Sequence, residues 1–138
     1  MIISEKIILD SRGNFYIINI TEQVRDFVSR KGVKNGIVTL FYQHTTGSLL
    51  IFEQEAGVMV DLEDAFDRLF PEEIDYFHHK RAVDFNGPSH IRSAFLNPSL
   101  TIPIKDGDIV LGKYQEIVAL DMQPDPKPRT LIIQVMGE

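Results

Sequence analysis

The chain has 138 residues, 43% of them hydrophobic and 25% charged, with a formal net charge of -6 and no cysteine. Its length suits one domain with a continuous core, and its composition is that of a globular protein that stays in water. Disulfides, thiolate ligands and a cysteine nucleophile are excluded, and the negative charge opposes attraction to nucleic acid or anionic lipid.

Met1 to Lys6 has no apolar run or small-residue cleavage site of a signal peptide, and no apolar stretch approaches bilayer-spanning length. The expectation is a cytoplasmic protein with no membrane and no nucleic-acid partner. Two β-rich segments, Ile2 to Leu9 and Asn14 to Ile20, flank Asp10-Ser11-Arg12-Gly13, which predicts an opening hairpin. Thr21 is placed to cap a helix to about Arg30, since Val24, Phe27 and Val28 recur at helical spacing and Gly32 suits a left-handed C-cap.

Gly36 to Tyr42 and Ser48 to Phe52 read as buried strands joined through Gln43-His44-Thr45-Thr46-Gly47. Val58, Met59, Leu62, Phe66, Leu69 and Phe70 then share one helical face, with Asp61, Glu63, Asp64 and Asp67 on a solvated side and Pro71 as the stop. From Pro71 to Ser89 periodicity fades in a polar stretch that holds Tyr76, His78, His79, Asp84, Asn86 and Gly87, the kind of irregular segment that often carries function. Ser89 is expected to cap a helix through Leu96, with His90 in its first turn.

Ser99 to Ile104, Asp108 to Leu111, Gln115 to Met122 and Thr130 to Met136 read as late strands. Asp106-Gly107 marks a hairpin, and Gln123 to Pro128 a proline-rich loop. Many strands with a few segregated helices predict a single α+β domain, 1–138, with mainly antiparallel sheets and packed helices. There is no GxGxxG or Walker loop and no nucleophile elbow, so neither a nucleotide fold nor a Ser-His-Asp triad is assigned.

All four histidines fall between positions 44 and 90. Three neutral imidazoles with an open position would suit a catalytic zinc, although gaps of this length demand that the fold bring His44, His78 and His90 together. His79 is read as hydrogen-bonded locally. A helix start would keep His90 neutral and is itself a place for phosphate, while Thr45, Thr46 and Ser48 offer hydroxyls and Arg92 and Arg129 guanidinium forks. Glu53, Glu116 and Asp121 are candidate acids or bases, and their spacing selects no pair.

The segments His44-Thr45-Thr46-Gly47-Ser48-Leu49 with Glu53, Asn86-Gly87-Pro88-Ser89-His90-Ile91, Pro98-Ser99-Leu100-Thr101-Ile102-Pro103-Ile104 and Leu111-Gly112-Lys113-Tyr114-Gln115 together resemble one family. The chain is similar, from about Thr21 to its end, to the YjbQ-like family, also described as secondary thiamine-phosphate synthases. The resemblance implies an α+β fold, a homotrimer with sites near subunit boundaries, and synthesis of thiamine phosphate from a pyrimidine pyrophosphate and a thiazole phosphate. It also implies His44, His78, His90 and Glu53 as catalytic residues, the same three histidines as a metal site, and Thr45, Thr46, Asn86, Gln115 and Arg129 as substrate contacts. The cofactor so implied is a divalent metal, Mg²⁺ with the pyrophosphate substrate or Zn²⁺ at the histidines. Departures from the pattern are Tyr114 for tryptophan, Asn97 for glycine and Lys127 for arginine. Two other readings of the same residues are a metal-dependent hydrolase of a phosphorylated or acyl metabolite and a non-enzymatic trimeric binding protein.

Overall fold

The computed structural model describes residues 1–82 and 85–138, so Asp84 lies outside the described residues. The strands are β1 (Ile2–Leu9), β2 (Tyr16–Asn19), β3 (Gly36–Tyr42), β4 (Gly47–Phe52), β5 (Ser99–Lys105), β6 (Asp108–Ile109), β7 (Glu116–Asp121) and β8 (Arg129–Gly137). The helices are α1 (Thr21–Lys31), α2 (Ala56–Leu69), α3 (Phe77–Arg81) and α4 (Gly87–Phe95). Two antiparallel sheets result, one in the order β1-β8-β3-β5-β6 and one in the order β2-β7-β4. The α+β, single-domain expectation holds.

The inner faces of both sheets and the apolar stripe of α1 close one core. Val38, Leu40, Leu131 and Ile133 of the larger sheet meet Leu49, Ile117 and Ala119 of the smaller one, with Val24, Phe27 and Val28 filling the side. Burying side chains of this size contributes roughly 1.5–3 kcal/mol each. On the other face of the smaller sheet, Leu120 and Met122 pack under Phe66 of α2. Gly32 ends α1 at φ 70, as its position predicts, and Asp106-Gly107 makes the β5–β6 turn with both residues at positive φ.

The opening hairpin does not form. β1 pairs with β8 and β2 with β7, so the two segments belong to different sheets. Gly13, Asn14 and Phe15 all have positive φ, and the Asn14 amide donates to the Gln123 carbonyl at 2.7 Å, which ties the crossing to the 123–128 loop. Turn residues announce a change of direction, whereas the strand partner is set by distant register.

Two helix starts also differ from expectation. Thr21 sits inside α1, where its hydroxyl donates to Glu116, and its own amide is taken by the Asn19 side chain. α4 begins two residues earlier than Ser89, with Asn86 at the N-cap position and Pro88 in the first turn, a place where proline's missing N–H costs nothing. The His90 amide therefore makes an intrahelical bond to the Asn86 carbonyl at 3.2 Å. The Pro71–Ser89 stretch is not wholly irregular, since α3 lies within it.

Candidate functional site

At one end of the sandwich the 43–46 link passes from the larger sheet to the smaller, the 123–128 loop passes back, and α4 starts between them. A cleft of about 410 Å³ opens there, with His44, Thr45, Asn86, His90, Lys127 and Arg129 among its walls. A larger hollow of about 600 Å³ lies beyond the start of α4 and carries Glu72, Glu73, Asp75 and Phe85. The signs differ: the smaller cleft has cationic side chains and suits an anion, and the larger one is acidic.

The cleft floor is held from below by one buried carboxylate. Asp121, with 0% exposure, accepts from the Arg129 guanidinium, from the Ser11 hydroxyl and from the Gln123 amide at 2.9 Å. Arg129, only 3% exposed, also donates to the Thr46 hydroxyl at 2.8 Å. One ion pair thus fixes β7, the 43–46 link and the start of β8 in a single frame. Low-dielectric surroundings make such a fully paired network rigid, and make it costly to leave half paired.

In three of the histidine rings, His44, His78 and His79, Nε2 has a defined partner. Nε2 of His44 accepts the Thr130 amide at 2.7 Å, and the Tyr42 ring meets it edge-on at 5.1 Å. Burial, then the nearby Arg129 charge, lowers the His44 pKa, so the ring is neutral near pH 7. Nε2 of His78 lies 2.8 Å from Oδ1 of Asn86, whose amide nitrogen donates to Gln123 at 3.3 Å. That leaves Asn86 as the acceptor and His78 as the donor. The His78 and His90 rings are 4.6 Å apart, edge to face.

His44 and His90 therefore share the cleft, and His78 stands behind His90 and Asn86. Thr45 and Thr46 both line the cleft, Thr46 being largely buried with its hydroxyl on Arg129. His79 bonds locally, as expected: its Nε2 accepts the Gly87 amide at 3.0 Å. That contact takes a donor of the α4 start, and Pro88 has none, so the helix end is a poorer phosphate site than its sequence suggests.

Other expected residues are elsewhere. Glu53 is exposed just past the far end of β4, and Gln115 lies just before β7 with its side chain accepting the Gly112 amide at 2.7 Å. Gly47 pairs with Asp121 at the cleft end and Phe52 with Glu116 at the other, a span of roughly 17 Å at strand rise. Within one chain neither Glu53 nor Gln115 reaches the histidines. Glu116 bonds Thr21 and Asn19, contacts that lower its pKa. Ser48 donates to the Asn97 carbonyl, and the buried Arg92 donates to the Phe70 carbonyl at 2.8 Å, so both serve the scaffold. Gln123, which nothing in the sequence distinguishes from an ordinary loop residue, lines the cleft with Lys127, read only as a departure from the family's arginine, and Asp121, read as a candidate acid or base, supports it from below.

The sequence profile of the family described as UPF0047 protein YjbQ-like matches residues 5–138. The chain belongs to this family. A UPF0047 protein of Synechocystis is 35% identical over 121 residues, covering 87% of this chain and 82% of that protein. One from Methanothermobacter thermautotrophicus is 31% identical over 122 residues, covering 88% and 83%. Among solved structures, a protein of unknown function from Sulfolobus solfataricus superposes with a TM-score of 0.93 at 25% identity, covering 100% of this chain and 99% of that one. A YjbQ/UPF0047 protein from Clostridium acetobutylicum gives 0.86 at 26% identity, covering 96% and 99%. No helix among the described residues is long and apolar enough to cross a membrane.

The single lone pair of neutral His44 faces the Thr130 backbone N–H, a contact that a metal at Nε2 would have to displace.

Proposed function

We propose that this YjbQ-like chain binds a phosphorylated small molecule in the His44–Arg129 cleft and acts as a secondary thiamine-phosphate-synthase-like transferase. The observation that carries the reading is the convergence of Arg129, Lys127, His44, His90 and Thr45 on one cleft, with Arg129 locked in place by Asp121. In the reaction implied by the family resemblance, the thiazole nitrogen attacks the methylene carbon of hydroxymethylpyrimidine pyrophosphate. The carbon–oxygen bond breaks and pyrophosphate leaves with the electron pair.

Such a step needs little from the protein except alignment of the two substrates and stabilisation of the leaving group. Arg129 and Lys127 offset its charge, Thr45 and His90 supply donors, and Asn86 holds His78 behind His90. Mg²⁺ enters as the partner of the pyrophosphate substrate, and no step is assigned to a metal held by the histidines.

The working unit of the proposal is a homotrimer. Ile2, Met136 and Ile37 form one cross-strand row on the outer face of the larger sheet, and Ile8 and Phe41 extend that exposed face. Glu53 and Gln115 also lie too far from the cleft to serve it within one chain, which supports their acting at a neighbour's site. Light scattering should give the mass of three chains, and Met136→Lys should dissociate them; a monomeric wild-type protein at micromolar concentration contradicts the assembly.

The activity test supplies both substrates and Mg²⁺ to the purified protein. Thiamine phosphate should form, and His90→Ala should make at least tenfold less. No product, or an equally active His90→Ala protein, overturns the transferase reading. A trimer with no activity would instead favour the binding-protein reading, which the exposed sheet face also supports.

A further inference from the structure

We propose that His44 is a neutral hydrogen-bond donor to a substrate oxyanion, presenting Nδ1–H to the cleft, and that it is not a metal ligand. The inference rests on the phosphate reading of the cleft and gives the family-motif histidine a chemical role within it.

The Thr130 backbone amide lies 2.7 Å from Nε2 of His44, and an amide N–H only donates. Nε2 must therefore hold the ring's lone pair. A neutral imidazole has one such pair and one N–H, so the hydrogen is on Nδ1. A metal at Nε2 would have to displace the Thr130 amide at the start of β8, and a metal at Nδ1 would require an imidazolate. An oxyanion requires neither change.

The ring is held in that orientation by more than one contact. The Gln43 amide donates to the Thr130 carbonyl at 3.2 Å, so residues 43–44 and Thr130 are bonded through both backbone groups of Thr130. Tyr42 packs edge-on against the ring from β3. With Nε2 taken by the Thr130 amide and His44 in the cleft wall, Nδ1–H is the ring's one donor for a cleft ligand.

Charge around the ring points to the same ligand. Arg129 and Lys127 line the cleft with His44, while the Asp121 carboxylate is buried beneath and paired to Arg129. These cations repel a bare divalent ion and attract phosphate oxygens. Neutral His44 then adds a directed N–H where a third full charge would be costly to bury. The ligand class is a phosphate or pyrophosphate monoester, with inorganic pyrophosphate as the simplest probe.

The test uses full-length protein labelled with ¹⁵N-histidine, with His44 signals assigned from a His44→Asn variant. Long-range ¹H–¹⁵N correlation at neutral pH, before any ligand is added, should show a protonated Nδ1 and a lone-pair Nε2. Inorganic pyrophosphate should shift the Nδ1 signals in a saturable way, and Zn²⁺ alone should leave both nitrogens unmoved. His44→Asn, which keeps an N–H near the δ position, should bind pyrophosphate within about threefold of wild type. His44→Phe should lose about tenfold or more, the value of one hydrogen bond to a charged group.

An Nε2–H tautomer, or a coordination shift at His44 with Zn²⁺ alone, overturns the inference even if the cleft binds pyrophosphate. The Nδ1–H tautomer in a protein whose His44 signals ignore saturating pyrophosphate overturns the phosphate reading itself, and the donor role with it.

Discussion

Replacing Asp121 with asparagine removes one charge from the buried frame and keeps most of its shape. The amide oxygen can still accept from Arg129 and from the Gln123 amide, and the Ser11 hydroxyl can rotate to accept from the new NH₂ group. The change therefore isolates the loss of the anion facing a guanidinium that is 3% exposed. Leaving a buried charge without its partner costs about 3–5 kcal/mol. Against a total stability of roughly 5–15 kcal/mol for a domain, that is a large fraction. At a urea m-value of about 2 kcal/mol/M, the midpoint should fall by roughly 2 M.

The companion variant Arg129→Met should be destabilising alone but cost little more once Asp121→Asn is present, because the two side chains form one pair. Urea unfolding of the two single variants and the double variant at pH 7 measures this directly. A single Asp121→Asn change worth less than about 1 kcal/mol, or full additivity with Arg129→Met, would refute the claim that one ion pair holds the cleft floor.

Gly13→Ala should cost about 2–4 kcal/mol in denaturant unfolding and weaken pyrophosphate binding, because at φ 72 its Cβ would lie 2.7 Å from the Asp125 carbonyl oxygen and push the 123–128 loop. Gly32→Ala, at φ 70 with nothing within 4 Å, should cost only about 1 kcal/mol and leave binding unchanged. His44 should titrate below 6.5 by NMR, since burial and Arg129 disfavour its cation. A histidine whose folded pKa is depressed contributes stability that is complete above its unfolded pKa and is lost as pH falls through the folded one; a midpoint above 6.5 would contradict this.

Local pattern was enough for much of the fold. Val24, Phe27 and Val28 with Gly32 mark α1, Asp106-Gly107 marks the β5–β6 turn, and β-branched residues mark β3 and β8. Those signals act over a few residues, and the structure keeps them. Strand partnership does not act locally, which is why Asp10 to Gly13 reads as a hairpin although Gly13, Asn14 and Phe15 carry the chain between sheets. A positive φ at Phe15 is invisible in sequence, because only the tie to Gln123 and the contact with Phe66 select it.

The site divides in the same way. Motif resemblance brought His44, His90, Asn86 and Arg129 under one heading, and the structure puts them on one cleft. Asp121 looks like any strand-end carboxylate until its burial is known, and Lys127 like any loop cation. Ser48 and Arg92 look available, yet both donate to backbone carbonyls. Glu53 and Gln115 lie at the far end of the smaller sheet, a separation that motif order along the chain does not reveal.

A crystal structure with inorganic pyrophosphate would show whether the cleft is an oxyanion site in which His44 donates from Nδ1 beside Arg129. Pyrophosphate oxygens should lie within hydrogen-bonding distance of His44 Nδ1 and the Arg129 guanidinium, with the Thr130 amide still on Nε2. Pyrophosphate bound elsewhere, or a metal ion on Nε2 of His44 with the Thr130 contact broken, would contradict it.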